Sequence, residues 1–284
     1  MTPRTVSVVN MKGGVGKSTT VASLAEALST DGLRVLVIDL DPQSNVSMML
    51  AGQDRWIELR QSEKTIDAYF NQYVYGGEPR FFRDFIATKV SDISGDQTLD
   101  LLISTPEFRY IERHALEKWV SQGFDIRQLN TRFSRLTNSA IENVSESYDV
   151  VLFDCPPGIS MFAEAAIELS EFIVIPTIPD YVSRLGIFAF RKRALRSMEQ
   201  RRFTDERIWT LITKYEPTNT LHQSEAEMLK QQFNVFETRI PQAEQIARAA
   251  EWSEQKRTFE QKYGAAAPVI RKFAAEFRER AGLI

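Results

Sequence analysis

The sequence predicts an α/β protein: a doubly wound, mostly parallel sheet flanked by helices, with a helical insertion after the second strand. Three observations carry this. Short β-branched runs alternate with segments of helical period along the chain. The strand runs are apolar almost throughout, as parallel strands covered on both faces must be. A glycine-rich turn joins the first run directly to the first helix, and ligands of such folds bind at the carboxyl ends of strands.

The elements follow in order. Thr5–Asn10 (TVSVVN) is a buried strand ending at the glycine turn. Lys17–Ser29 carries Val21, Leu24, Ala25 and Leu28 at helical spacing, and Asp31-Gly32 stops it. Arg34–Leu40 (RVLVIDL) is the second strand. Further strands are expected at Leu99–Ile103, Asp149–Asp154, Phe172–Pro176 and Ile208–Thr213. Helices fall near Pro106–Val120, Ile126–Ser145, Met161–Leu169, Leu185–Gln200, Leu221–Gln232 and Ala267–Arg280. Residues 51–97 break the alternation and read as a helical insertion within one domain spanning 1–284. Seven aromatics crowd Tyr69–Phe85 there (Tyr69, Phe70, Tyr73, Tyr75, Phe81, Phe82, Phe85). They either pack on the main core or form a docking surface for a partner, and the sequence leaves both open.

Composition narrows the classes. The 284 residues hold 43% hydrophobic and 26% charged residues, the mix of a globular protein with a sizeable core. Lys and Arg number 35 against 38 Asp and Glu, so the net charge is −3 and any nucleic-acid contact must come from a local patch. The single cysteine, Cys155, excludes an internal disulfide framework and argues for a reducing, cytoplasmic setting. No run approaches the roughly 20 apolar residues of a spanning helix. The first residues read as a strand rather than a signal peptide.

The most informative residues are Lys12-Gly13-Gly14-Val15-Gly16-Lys17-Ser18-Thr19, between the first strand and the first helix. That context suits a phosphate-binding loop, because glycines let the backbone curl its N–H groups around an anion and the helix N-terminus adds positive potential. Lys17 would reach the β- and γ-phosphates, and the Ser18 hydroxyl would hold Mg²⁺. The common pattern G-x-x-x-x-G-K-S/T fails, since its first glycine falls on Met11, and a second lysine, Lys12, stands at the front of the loop instead. Two acidic strand ends complete the pattern: Asp39-Leu40-Asp41-Pro42-Gln43 and Asp154-Cys155-Pro156-Pro157-Gly158. Asp154 can bind Mg²⁺ directly or through water, Asp39 can order the metal's water shell, and Asp41 sits just beyond its strand on a loop able to move.

With these three motifs in this order, the chain resembles the ParA/MinD family of deviant Walker A P-loop ATPases. Ile175-Pro176, Pro179-Asp180-Tyr181, Thr213-Lys214-Tyr215, Asn219, Ile240-Pro241 and Ala249-Ala250-Glu251 look like further family landmarks. The Asp41-Pro42-Gln43 sequence is closer to the ParA branch. The resemblance implies a P-loop NTPase fold with ATP and Mg²⁺ as cofactors. It implies that Asp41 positions the attacking water and that Lys12 reaches across a nucleotide-sandwiched homodimer to the partner's phosphates. It also implies adenine contacts from Lys214, Tyr215 and the loop after Pro241.

One segment departs from the acidic average. Arg184, Arg191, Lys192, Arg193, Arg196, Arg201, Arg202 and Arg207 face only Glu199, Asp205 and Glu206, a net +5 across 24 positions. Such a stripe is either a solvated helix face or a phosphate-neutralising, salt-sensitive DNA surface. The resemblance favours nonspecific duplex DNA, a nucleoid-associated location, and a ParB-like or cargo-adaptor protein that stimulates slow hydrolysis while a plasmid, chromosome region or protein assembly is positioned. The alternative is a MinD-like, membrane-associated positioning ATPase. There the last helix (Val269, Ile270, Phe273, Phe277 with Arg271, Lys272, Arg278, Arg280) would lie on lipid, but Glu276 and Glu279 interrupt its basic face. A metal-chaperone or cluster-bearing ATPase wants several cysteine or histidine ligands. Only Cys155, His114 and His222 exist, and they read as a small buried residue and two surface histidines.

Overall fold

A computed structural model describes residues 2–76, 80–158, 160–198 and 205–283, without the side chains of 126, 193–198 and 205. In chain order its elements are β1 (Arg4–Val8), α1 (Lys17–Thr30), β2 (Val35–Asp39), α2 (Asn45–Ala51), α3 (Gln53–Gln61), α4 (Ile66–Val74), β3 (Leu99–Leu102), α5 (Phe108–Ser121), α6 (Ile126–Val144), β4 (Val150–Asp154), α7 (Met161–Leu169), β5 (Phe172–Thr177), α8 (Tyr181–Met198), β6 (Ile208–Ile212), α9 (Thr220–Gln232), α10 (Glu244–Ala249), α11 (Phe259–Tyr263) and α12 (Ala267–Ala281). The six strands form one sheet in the order β3-β2-β4-β1-β5-β6, and every pairing is parallel. From β1 the chain steps over the place of β4 to β2. After β4 it returns past β1 to β5, so the winding reverses at the centre of the sheet, where such folds bind ligands.

Two cores cover the two faces. On one side Leu36, Val151, Phe153 and Ile173 meet Phe133, Phe162 and Leu229 of α6, α7 and α9. On the other Val6, Val37, Leu152 and Leu211 meet Leu24, Leu28, Phe273 and Phe277 of α1 and α12. The apolar side of α12, with Ile270, Phe273, Ala274 and Phe277, is therefore core. Glu276 on the same helix accepts the Glu237 and Thr238 N–H groups at 2.7 and 3.0 Å.

The insertion is only partly helical. After α4 and a 3₁₀ turn at Phe82–Phe85, the chain runs along the outer side of β3. Ala87 and Leu101 exchange backbone hydrogen bonds of 2.8 Å, and Val90 N–H donates to Leu99 O at 2.8 Å. This pairing protects an edge strand that would otherwise offer free backbone groups. Tyr69, Phe70, Phe82 and Phe85 are buried, with Tyr69 edge-on to the other three, while Tyr73, Tyr75 and Phe81 are exposed. Four of the seven aromatics therefore belong to the core, and three lie at the surface.

The helix expected from Leu185 begins at Tyr181, because Asp180 caps it: Oδ1 accepts the Ser183 N–H at 2.7 Å. The short helices α2, α10 and α11 have no counterpart in the sequence pattern, since five to seven residues are too few to display a period.

Candidate active site

The loop after β1 climbs from Val8 to α1 with Gly14 at φ 73° and Gly16 at φ 88°. Both angles lie in the left-handed region that a side chain resists, which is the local reason for glycine at these two turns. Val15 is buried beneath the loop, and its carbonyl accepts the Thr213 hydroxyl of the β6 end at 2.8 Å. Lys17, the first residue of α1, is 7% exposed. Its Nζ donates to the Lys12 carbonyl at 3.3 Å. Burial lowers the Lys17 pKa, and the carboxylates of Asp154 and Asp41 oppose that shift.

Strand register brings the acids together. Val8 and Asp39 both align with Asp154, so three strand ends converge below the loop. Asp154 is 0% exposed, and neither carboxylate oxygen has a hydrogen-bond partner among the described residues. An orphaned buried carboxylate is costly unless a cation or polar ligand meets it. Burial, then the neighbouring Asp39, push its pKa well above the usual carboxylate range; the Ser18 hydroxyl opposes this without reaching hydrogen-bond geometry. These residues fit a hard divalent cation held by Asp154 and Ser18 beside bound phosphates.

Asp39, expected from the sequence to order the metal's water shell, is engaged by protein donors at both oxygens. Its Oδ1 accepts the Asp41 N–H at 2.9 Å, and its Oδ2 accepts Ser47 N–H at 3.1 Å and Ser47 Oγ–H at 2.6 Å. Those donors hold it against the start of α2, and burial raises its pKa to about 7. Asp41 faces an open cavity of about 500 Å³, lined also by Gly13, Gly14, Gly16, Lys17, Ser18, Thr19, Gln43 and Lys214.

A second cavity, of about 210 Å³, shares Gly16, Thr19 and Lys214 with the first. Leu211, Ile240, Pro241, Ile246, Ile270 and Phe273 make it largely apolar, with Thr20 and Ser23 on its α1 side. Sequence reasoning placed Lys214 and Pro241 here but missed Thr20 and Ser23, which look like ordinary helix residues until α1 is set against the β6 end. Tyr215 lines neither cavity. Its hydroxyl accepts from Arg239 at 2.9 Å and its ring stacks on His222. Its backbone bridges to the Ile240–Pro241 segment, which supports the cavity wall indirectly.

Lys12 does not point at the loop's own cavity. Its Nζ donates to Asp180 Oδ2 at 2.9 Å and Ser183 Oγ at 3.2 Å, at the start of α8. Along α8, Arg184 pairs with Glu225 at 2.8 Å in a largely buried bridge. Arg191 lies over the Phe233 ring at 4.7 Å and donates to the Gln232 carbonyl, while Lys192 is exposed. Arg184 and Arg191 are therefore engaged with α9 rather than presented as a bare stripe. The side chains of Arg193 and Arg196, and the whole of Arg201 and Arg202, lie outside the described residues. Cys155 is fully buried, and burial raises its thiol pKa. Among the described residues no group of three or more His, Cys, Asp or Glu forms a ready metal cluster.

A family model described as an AAA domain (AAA_31) matches residues 3–204. Over 252 residues the chain is 27% identical to the chromosome-partitioning ATPase Soj of Thermus thermophilus, covering 87% of this chain and 84% of that protein. The chain belongs to the ParA/MinD family of P-loop ATPases. This ParA/MinD-family chain is also 28% identical over 219 residues to a putative replication protein A of Rhizobium rhizogenes. That match covers 75% of the chain and spans about half, 51%, of the longer relative. The fold is shared with a plasmid partition protein of Borrelia burgdorferi solved with AMPPNP (TM-score 0.72, 19% identity, 98% of this chain and 99% of that one). It is shared likewise with the ATP complex of a single-substitution variant of Cyanothece McdA (TM-score 0.73, 19% identity, 99% and 96%). As a member of this family, the protein is a P-loop ATPase.

Proposed function

We propose that this ATPase is a ParA-like positioning protein, with an ATP-bound homodimer that holds nonspecific duplex DNA and releases it on hydrolysis. The single observation carrying this reading is the Lys12 loop set over the unpartnered, buried Asp154 carboxylate. The loop and Lys17 bind the phosphates, and the apolar cavity behind Lys214 and Pro241 takes the base. Asp154 and Ser18 hold Mg²⁺, which when bound neutralises charge on the phosphate oxygens. Asp41, at the cavity wall, orients the attacking water.

Lys12 has 43% of its side chain exposed, and its bond to Asp180 is a surface pair worth little on its own. Exchange of Asp180 for a partner's phosphate is therefore cheap, and ATP becomes part of the dimer contact. A ParB-like or cargo-adaptor protein stimulates turnover, and the protein acts in the cytoplasm on the nucleoid. The packed apolar face of α12 argues against the membrane-bound alternative. Among the described residues no helix is long and apolar enough to cross a membrane.

Light scattering with and without ATP and Mg²⁺ tests the dimer. The wild type doubles its mass with ATP, and Lys12→Ala stays monomeric; an ATP-dependent dimer that survives the substitution removes Lys12 from the contact.

A further inference from the structure

We propose that Ser47 is a positioning residue for ATP hydrolysis, fixing Asp39 and through it the backbone of Asp41. The inference rests on the reading of Asp41 as the group that orients water.

Ser47 is the third residue of α2, where a helix leaves an N–H without an internal partner. Ser44, at the cap position, has φ 57° and gives no side-chain cap, so the N–H of Ser47 goes to Asp39 Oδ2 at 3.1 Å. The Ser47 hydroxyl donates to the same oxygen at 2.6 Å and accepts the Ser104 N–H at 3.0 Å. Ser104 follows β3, and its carbonyl in turn accepts Ser44 Oγ–H and Trp56 Nε1–H, both at 2.9 Å. Asp39, Ser47 and Ser104 are all 0% exposed, so water cannot stand in for a lost donor.

The other Asp39 oxygen accepts the Asp41 N–H at 2.9 Å. The chain of bonds from Ser104 through Ser47 and Asp39 therefore ends on the peptide that carries the hydrolytic carboxylate. These donors fix both Asp39 oxygens on the side of Asp41 and α2, although Asp154 is its register partner on β4. Ser47 touches neither cavity, so its effect must travel through Asp39.

The test compares ATP turnover and ATP affinity in the full chain for Ser47→Ala, Ser47→Thr, Asp41→Ala and the double variant. Ser47→Ala lowers kcat roughly 10- to 100-fold with ATP affinity within about twofold of wild type, the range for a displaced orienting group. Ser47→Thr keeps the hydroxyl and restores most of the rate. The double variant is no slower than Asp41→Ala alone, as expected of two residues acting in one chain. Wild-type turnover in Ser47→Ala, or equal loss in Ser47→Thr and Ser47→Ala, overturns the proposal while leaving Asp41 in place. Wild-type turnover in Asp41→Ala overturns the Asp41 reading instead, and the proposal with it. If Ser47→Ala fails to bind ATP, Ser47→Cys supplies the same comparison with a weak donor of similar volume; an unchanged rate there overturns the proposal.

Discussion

Two acids at neighbouring strand ends, Asp39 and Asp154, are equally buried yet differently partnered, and their partners separate their tasks. Asp39 is surrounded by three donors and anchors a turn; Asp154 has none among the described residues, which suits it to a cation. Asp154→Asn should therefore abolish the extra thermal stabilisation that Mg²⁺ adds to bound ADP, while the stabilisation by ADP alone remains. A melting series with ADP, with and without Mg²⁺, checks this; an undiminished Mg²⁺ increment in the variant assigns the metal elsewhere. The motif alone marks both acids as metal candidates, because nothing in the sequence says which carboxylate meets the N-terminus of a seven-residue helix.

Among the elements, α1 is bound to the insertion and the C-terminal region by a buried ionic cluster. Lys262 of α11 donates to Glu26 of α1 at 2.6 Å and to Asp92 of the insertion at 2.7 Å. Tyr263 and Ser91 hydroxyls also donate to Glu26, each at 2.6 Å, and Arg257 pairs with Asp92. Lys262→Met leaves two buried carboxylates short of a cation, so urea unfolding should show a loss of about 3–5 kcal/mol. A loss under about 1 kcal/mol would show that water or Arg257 compensates. On α8 the expected outcomes divide by contact. Arg184→Ala should destabilise the fold by about 1–3 kcal/mol, since it strands Glu225 in a largely buried bridge, with little change in DNA affinity. Lys192→Glu should do the reverse, and an electrophoretic DNA-binding assay beside a melting curve separates them.

For the whole molecule, legibility followed the length of the signal. All six strands and the long helices stood out, because an apolar run or several helical turns repeat their pattern often enough to be seen. The phosphate loop was legible because its chemistry is carried by contiguous residues. Its apolar neighbour cavity was half legible: Lys214 and Pro241 were found, but Ile270, Phe273 and Thr20 come from distant segments that only the fold unites. The tethering of Arg184 and Arg191 was hidden for the same reason, since charge counts do not show that Glu225 of α9 and Phe233 at its end lie against α8. The insertion's second half, read from the sequence as helical, instead takes its structure from pairing with β3, which no period in the sequence encodes.

At the same scale, ATP is proposed to switch this molecule onto DNA. That switch is read most directly by fluorescence anisotropy of a nonspecific labelled duplex without nucleotide, with ADP, and with ATP and Mg²⁺, over a salt series, for wild type and Lys12→Ala. Binding is expected only with ATP and Mg²⁺, weakening steeply as salt rises and lost in Lys12→Ala. Equal binding in all three nucleotide states, or none in any, would contradict the switch.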